Sequence, residues 1–202
     1  MDILLMMKAL ILGLVEAASE FLPISSTGHL IVVGDFLNFT GPRAETFEIF
    51  IQLGAILAVV WIYRRRLRDT LVNFGTDPQA RRLVWNLLIA FAPAAILGFL
   101  LHKHITRYLF NPVTVAGALV VGGIAILLIE RYARLGRVQS VAEMTWRDAL
   151  GIGIAQSVAL FPGVSRSGAT IMGGMLGGMS RFAATEFSFF LAIPTMFAAT
   201  AY

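Results

Sequence analysis

The chain contains no cysteine, which excludes thiol nucleophiles, thiolate metal sites and disulfides. Charge is the second scarcity: 14% of the 202 residues are Asp, Glu, Lys or Arg, against about 25% in an ordinary soluble domain. That shortage excludes a water-soluble globule. With 57% hydrophobic residues and a mean hydropathy of +0.78, the chain reads as an all-α integral membrane protein. Lysine is almost absent too, since 14 of the 16 basic residues are arginines. Most of these lie between apolar runs, the usual code for membrane topology, so the net charge of +4 does not point to nucleic acid. The opening MDILLMMKALILGLVEAASEF has no basic region before its apolar run, and its helix is expected to stay in the mature protein rather than be cleaved as a signal peptide.

Uninterrupted apolar runs lie at about 46–63, 83–101, 112–130 and 182–202, each near the roughly 20 residues that a spanning helix needs. The gap from Arg64 to Arg82 holds six arginines and that from Arg131 to Arg147 holds four, whereas the gap between Leu101 and Pro112 holds Lys103 and Arg107. The positive-inside rule places the first two gaps in the cytoplasm and the third outside. The runs Ile3 to Val15 and Ala149 to Phe161 are shorter, and each is followed by a polar interruption and another short apolar segment. Both regions therefore read as re-entrant helical hairpins with polar tips, because non-helical backbone at membrane depth survives only in protein or beside a wet cavity.

Sliding the chain by 140 residues superimposes the two regions: Gly13 on Gly153, Phe21 on Phe161, Ser25 on Ser165, Gly28 on Gly168, Phe47 on Phe187, and Glu16 on Gln156. The expected architecture is a single membrane domain over 1–202, with repeat 1 at about 1–63 and repeat 2 at about 148–202. The topology makes the copies an inverted-repeat helical bundle, whose two re-entrant hairpins should meet near the bilayer midplane. The tips 16–29 and 162–170 should then face one another.

The first tip, EAASEFLPISSTGH, carries two carboxylates one helical turn apart. Glu16 and Glu20 would share a face, and in a low-dielectric setting such a pair takes up a proton or holds a divalent cation, Mg²⁺ or Ca²⁺. A solvated helix face is the alternative, which the flanking Leu14, Val15, Phe21 and Leu22 disfavour. Ser26 and His29 are spaced so that a hydroxyl can meet an imidazole, the pattern of an activated nucleophile, or Ser25 and Ser26 simply cap a helix. The second tip, PGVSRSGAT, combines a turn, three hydroxyls and Arg166 at the start of a short helix. That is an anion cradle, and Arg is the bidentate partner of phosphate oxygens. A purely structural pairing of Arg166 with Glu16 or Glu20 is the alternative, but it would leave the surrounding hydroxyls without a purpose.

EAASEFLPISSTGHL, TFE followed by IQLGAILAV, PGVSRSGATI and SRFAATEFSFFLAIP resemble, in order, the undecaprenyl-diphosphatase family of bacitracin-resistance phosphatases. The resemblance implies a hydrolase that converts undecaprenyl diphosphate to undecaprenyl phosphate and inorganic phosphate, recycling the lipid carrier of cell-wall peptidoglycan synthesis. It implies catalytic roles for Glu20, Ser26, His29 and Arg166, and phosphate binding by Ser25, Thr27, Ser165, Arg166, Ser167 and Thr170. It also implies a divalent cation at Glu16 and Glu20, and residence in the bacterial inner membrane with the site open to the outer side. Expected partners are a polyprenyl diphosphate, membrane lipids and, in one arrangement, a second copy in a homodimer. Family members continue past the equivalent of Tyr202, so further spanning helices are expected beyond the apolar run that ends there. A lipid-phosphate or anion transporter is the competing reading, because inverted repeats with broken helices are carrier architecture. The Ser and His pair disfavours it. His102 and His104 read as solvated loop residues, Arg64 to Arg68 as anchors to anionic headgroups, and Glu48 and Glu186 either as helix-start acids or as supports for the site.

Overall fold

The computed structural model describes the backbone of residues 3–109, 112–132 and 136–201. It is all-α: α1 Ile3–Ser19, α2 Ser26–Phe36, α3 Pro42–Ile62, α4 Arg64–Val72, α5 Pro78–Tyr108, α6 Pro112–Tyr132, α7 Trp146–Ser157, α8 Arg166–Leu176 and α9 Arg181–Ala201. Single 3₁₀ turns cover Val141–Glu143 and Val158–Leu160. Among the described residues no strand forms, and a lone parallel bridge joins Val138 to Met179.

The expected spans all become helices, with boundaries set by local chemistry. α3, α5 and α6 each begin at a proline, whose fixed φ is pre-organised for the first helical position and whose missing N–H would be unpaired there anyway. They therefore start several residues before the apolar runs, or at the same point for α6. α1 runs past Val15 to Ser19, so Glu16 sits on regular helix, in an inward stripe with Leu12 and Ser19. Among the described residues three helices, within Pro78–Leu101, Val113–Tyr132 and Arg181–Thr200, are long and apolar enough to cross a bilayer. A fourth candidate is the pair Thr46–Ile62 and Arg64–Val72, bent by 68°. The bend falls where the sequence changes from apolar to RRR. Arg64 stacks over the Trp61 ring, with 4.3 Å from guanidinium carbon to ring centroid, and donates to the Trp61 carbonyl at 2.6 Å.

The principal core joins α5, α7, α8 and α9, with Met144, Ile152, Met179, Phe187 and Leu191 at its centre and at most 2% exposed. A smaller cluster of Ile56, Ala192 and Met196 fixes α3 on α9. α1 and α2 pack together as a hairpin, as do α7 and α8, and α6 lies against α2 and α8. The outward faces of α1 and α6 are apolar, with Ile3, Leu10, Val113 and Leu127 65% exposed or more, as lipid contact requires. Glu186, left open between two roles by the sequence, pairs with Arg66 and so ties α9 to α4. The side chains of His102 and His104 lie outside the described residues.

α7 is held by a capping box. Thr145 accepts from the Asp148 N–H, and Asp148 accepts from the Thr145 N–H at 2.8 Å, from its hydroxyl at 2.7 Å, and from Arg137. Asp148 lies in the first turn of α7, outside the candidate spans. Burial alone would raise its carboxyl, but the donors outweigh burial and hold it below the ordinary carboxylate range. A carboxyl depressed in the folded state contributes stability at neutral pH that is lost as pH falls through its folded value. Asp148→Asn is expected to cost about 1–2 kcal/mol of unfolding free energy at pH 7, as loss of a cap does. It should also flatten the acid-side fall in stability, as read by denaturant unfolding in detergent between pH 7 and 3.

Candidate active site

The two polar tips lie against each other. Helix α1 ends at Ser19, and the Glu20 N–H still donates to the Glu16 carbonyl at 2.9 Å, so the turn extends one residue and points the Glu20 side chain toward α8. There the Arg166 Nη2 donates to Glu20 Oε1 at 2.9 Å, with the two side chains 14% and 8% exposed. The other Glu20 oxygen, Oε2, accepts a short hydrogen bond from the Ser26 hydroxyl. Both carboxylate oxygens of Glu20 are thus engaged, one by the second tip and one by its own.

Hydroxyl bookkeeping separates the serines and threonines into two groups. Ser165 caps α8 by accepting from the Gly168 N–H at 3.0 Å, so its proton is free for Ser167 Oγ, 3.0 Å away. Ser167 in turn donates to the Leu22 carbonyl at 2.8 Å and is 1% exposed. Thr170 is fully buried and bonds the Arg166 carbonyl at 3.0 Å. Ser167 therefore fastens the two tips, Thr170 ties α8 to Ser188 on α9, and neither lines the cavity. Glu20, Ser25, Ser26, Thr27, Ser165 and Arg166 do line it, in a space of about 250 Å³. The far wall is apolar, with Ala94, Leu160 and Met196. Gly163, with φ +91°, lets the second tip turn against α6: a Cβ there would stand 2.7 Å from the Val115 carbonyl oxygen.

Ser26 does not pair with His29. The imidazole Nδ1 lies 2.8 Å from the Ser25 carbonyl, an acceptor, so Nδ1 carries the proton. That bond steadies a residue with a positive φ of 63°, a strained geometry for serine. His29 is exposed, and Ser25 makes no side-chain cap on α2. Helix does run across both residues, as the pairing read from spacing assumed, but their side chains do not converge. Instead Ser26 opens α2 with its hydroxyl turned back to Glu20.

Glu16 is 1% exposed, and neither carboxylate oxygen has a hydrogen-bond partner among the described residues. Glu20, Glu48 and Arg166 stand within electrostatic range of it. A buried carboxylate without partners calls for a cation or a proton, so Glu16 with Glu20 fits one side of a divalent-cation site. Among the described residues no three His, Cys, Asp or Glu side chains cluster closely enough to cage a metal. The two carboxylates would thus supply one side of a site for Mg²⁺ or Ca²⁺, and other oxygen ligands would have to complete the shell.

Two residues at the site escaped sequence reasoning. Gln156 is 2% exposed and lines the cavity, and its only signal was its alignment with Glu16. Ser188 is fully buried on α9, where a hydroxyl among phenylalanines was the clue. The Arg166 Nε is likewise buried and without a partner, an N–H donor beside a cavity lined by hydroxyls.

Fold and site together define a polytopic helical membrane protein with a buried arginine, carboxylate and serine centre suited to an anion. The model of the family described as bacitracin resistance protein BacA matches residues 9–202, and the chain belongs to that family. Undecaprenyl-diphosphatases of Nitrosospira multiformis, Laribacter hongkongensis and Nitrosomonas europaea are 59%, 60% and 60% identical to it over 202 residues. Each match takes in all of this chain, which spans 74% of each relative.

Removing the Glu20 carboxylate strands Arg166 in a low-dielectric site, which typically costs 3–5 kcal/mol. Glu20→Ala is expected to lower unfolding stability by about that amount. The double variant Glu20→Ala/Arg166→Ala should lose less than the sum of the two singles, as measured by unfolding in detergent.

Proposed function

We infer that the chain is an undecaprenyl-diphosphatase: a membrane hydrolase that cleaves undecaprenyl diphosphate to undecaprenyl phosphate and inorganic phosphate, and so serves peptidoglycan synthesis and bacitracin resistance. The observation that carries the reading is Arg166. Its Nη2 is committed to Glu20 and its buried Nε–H has no partner among the described residues, in a side chain that lines the cavity together with Ser25, Ser26, Thr27 and Ser165. A phosphate group in the cavity would meet this guanidinium and the hydroxyls of Ser25 and Thr27, and the cavity is large enough for a diphosphate group. The apolar far wall suits the first carbons of a prenyl chain. The relatives carry the name of a hydrolase, which does not favour the transporter alternative.

In the reaction we propose, Arg166 and the hydroxyls of Ser25, Thr27 and Ser165 hold the terminal phosphate. Ser26 Oγ attacks its phosphorus as the bond to the bridging oxygen breaks and lipid monophosphate departs. The Ser26 proton passes to Glu20, whose Oε2 already accepts it as a hydrogen bond. Water then attacks the phosphorus of the seryl phosphate, both of its protons leaving on the released inorganic phosphate, and Glu20 returns its proton to Ser26 Oγ as that P–O bond breaks. The charge gathered on the equatorial oxygens faces a guanidinium already in place, which costs no reorganisation. A divalent cation bound at Glu16 and Glu20 would add positive charge beside the same oxygens. His29 anchors the Ser25 carbonyl and so sets the backbone from which Ser26 projects.

The finer architecture belongs to the same proposal. α1–α2 and α7–α8 are each helix, polar break and helix, and α2 and α8 start 140 residues apart, at Ser26 and Arg166, which supports an inverted repeat of two re-entrant hairpins in a single domain. The arginine-rich segments at α4 and after α6 support a cytoplasmic placement for those ends, which puts the first hairpin's entry and the site on the outer side of the inner membrane.

Purified wild-type chain in detergent should release inorganic phosphate from an isoprenyl diphosphate. Ser26→Ala and Arg166→Ala should reduce the rate at least 100-fold, and a chelator should suppress it reversibly. Near-wild-type release by either variant would overturn the assignment.

A further inference from the structure

We propose that Ser188 on α9 is a positioning residue for Arg166, and that this α9 face decides where the guanidinium points. The inference rests on the phosphate role given to Arg166 above. Ser188 makes two contacts at once. Its main-chain carbonyl accepts from Arg166 Nη1 at 3.2 Å, and its hydroxyl lies 2.7 Å from Thr170 Oγ1. Thr170 has one proton, placed between the Arg166 carbonyl at 3.0 Å and the Ser167 carbonyl at 3.1 Å. Toward Ser188 it therefore presents a lone pair, and Ser188 is the donor. Both residues are fully buried, so no water can substitute for either.

The consequence is a closed loop of contacts. The Ser188 side chain grips Thr170, one turn along α8 from Arg166, while the Ser188 carbonyl grips the far end of that arginine. Two turns along α9, Met196 Sδ meets Arg166 Nη2 at 3.3 Å. Glu20 holds the guanidinium by charge, and α9 settles its rotation. Nη1 and Nη2 each have a partner, and Nε is buried with none among the described residues. If the hydroxyl of Ser188 is lost, α9 and α8 can shift against each other and the carbonyl no longer meets Nη1, so the guanidinium turns away from its phosphate-binding pose. Misplacement of this kind falls mainly on the rate of the chemical step and on anion affinity.

Two measurements on the full chain in detergent test this: binding of inorganic diphosphate by calorimetry, and kcat and KM for phosphate release from an isoprenyl diphosphate. Ser188→Ala should weaken diphosphate binding and lower kcat by about tenfold each. Ser188→Thr, which keeps the hydroxyl, should recover most of both. Lysine has no fork to reach the Ser188 carbonyl, so in an Arg166→Lys background Ser188→Ala should change either quantity less than twofold. If Ser188→Ala does not fold, Ser188→Cys preserves the volume with a weaker donor, and the same pattern is expected of it. Equal losses in both backgrounds, or wild-type behaviour of Ser188→Ala, would overturn the positioning role. Diphosphate binding that follows this pattern in a chain that releases no phosphate would overturn the proposed activity while leaving Ser188 in place.

Discussion

The ion pair between Glu20 and Arg166 is the constraint on which the rest of the structure turns. Two charges in an apolar bundle are tolerable only if each finds the other and their remaining hydrogen-bonding capacity is used. Glu20 reaches Arg166 with one oxygen and Ser26 with the other, while Arg166 adds the Ser188 carbonyl and the Met196 sulfur. The partners come from opposite ends of the chain, so satisfying them draws α1 and α2 against α8 and α9. Ser167 reinforces the junction by donating to the Leu22 carbonyl. The pair is thus the join of the two hairpins and, in the proposed function, the centre of the chemistry.

That dual duty explains why some polar groups at the tips remain unpaired. A structure built for stability alone would have matched Glu16 and the Arg166 Nε, since each unmet buried group costs free energy. Their unpaired state makes sense if a ligand supplies the missing partners: an anion for Nε, a cation or a proton for Glu16. The hydroxyls divide along the same line, with Ser167 and Thr170 turned inward to hold helices together and Ser25, Ser26, Thr27 and Ser165 turned to the cavity.

Much of this was legible in the sequence. The apolar runs marked the long helices, and proline at the first helical position explains why α3 and α5 begin earlier than hydrophobicity alone suggests. The opposition of the tips followed from the 140-residue offset and the inverted topology, whereas the pairing of Arg166 with Glu20, set aside in the sequence as a merely structural alternative, is what the structure shows. The pairing inside the first tip was not legible. Spacing placed Ser26 beside His29, but spacing cannot register a positive φ at Ser25, which redirects the hydroxyl to Glu20 and leaves the imidazole on a carbonyl. Ser188 and Gln156 were hidden for a different reason: single polar residues on otherwise apolar helices show their importance only through their neighbours in space.

Juxtaposition of the two tips can be measured directly, because the chain has no cysteine of its own. A Cβ placed on Gly168 would lie 3.5 Å from the Cβ of Pro23, inside the range of a disulfide. The neighbouring Ser165 side chain need shift by only a few tenths of an ångström to admit it. The double variant Pro23→Cys/Gly168→Cys, oxidised in the membrane, should form an intramolecular disulfide, detected by mass and by electrophoretic mobility, whereas either single variant should form none. Failure of the double variant to cross-link while correctly inserted would contradict a site built from both tips.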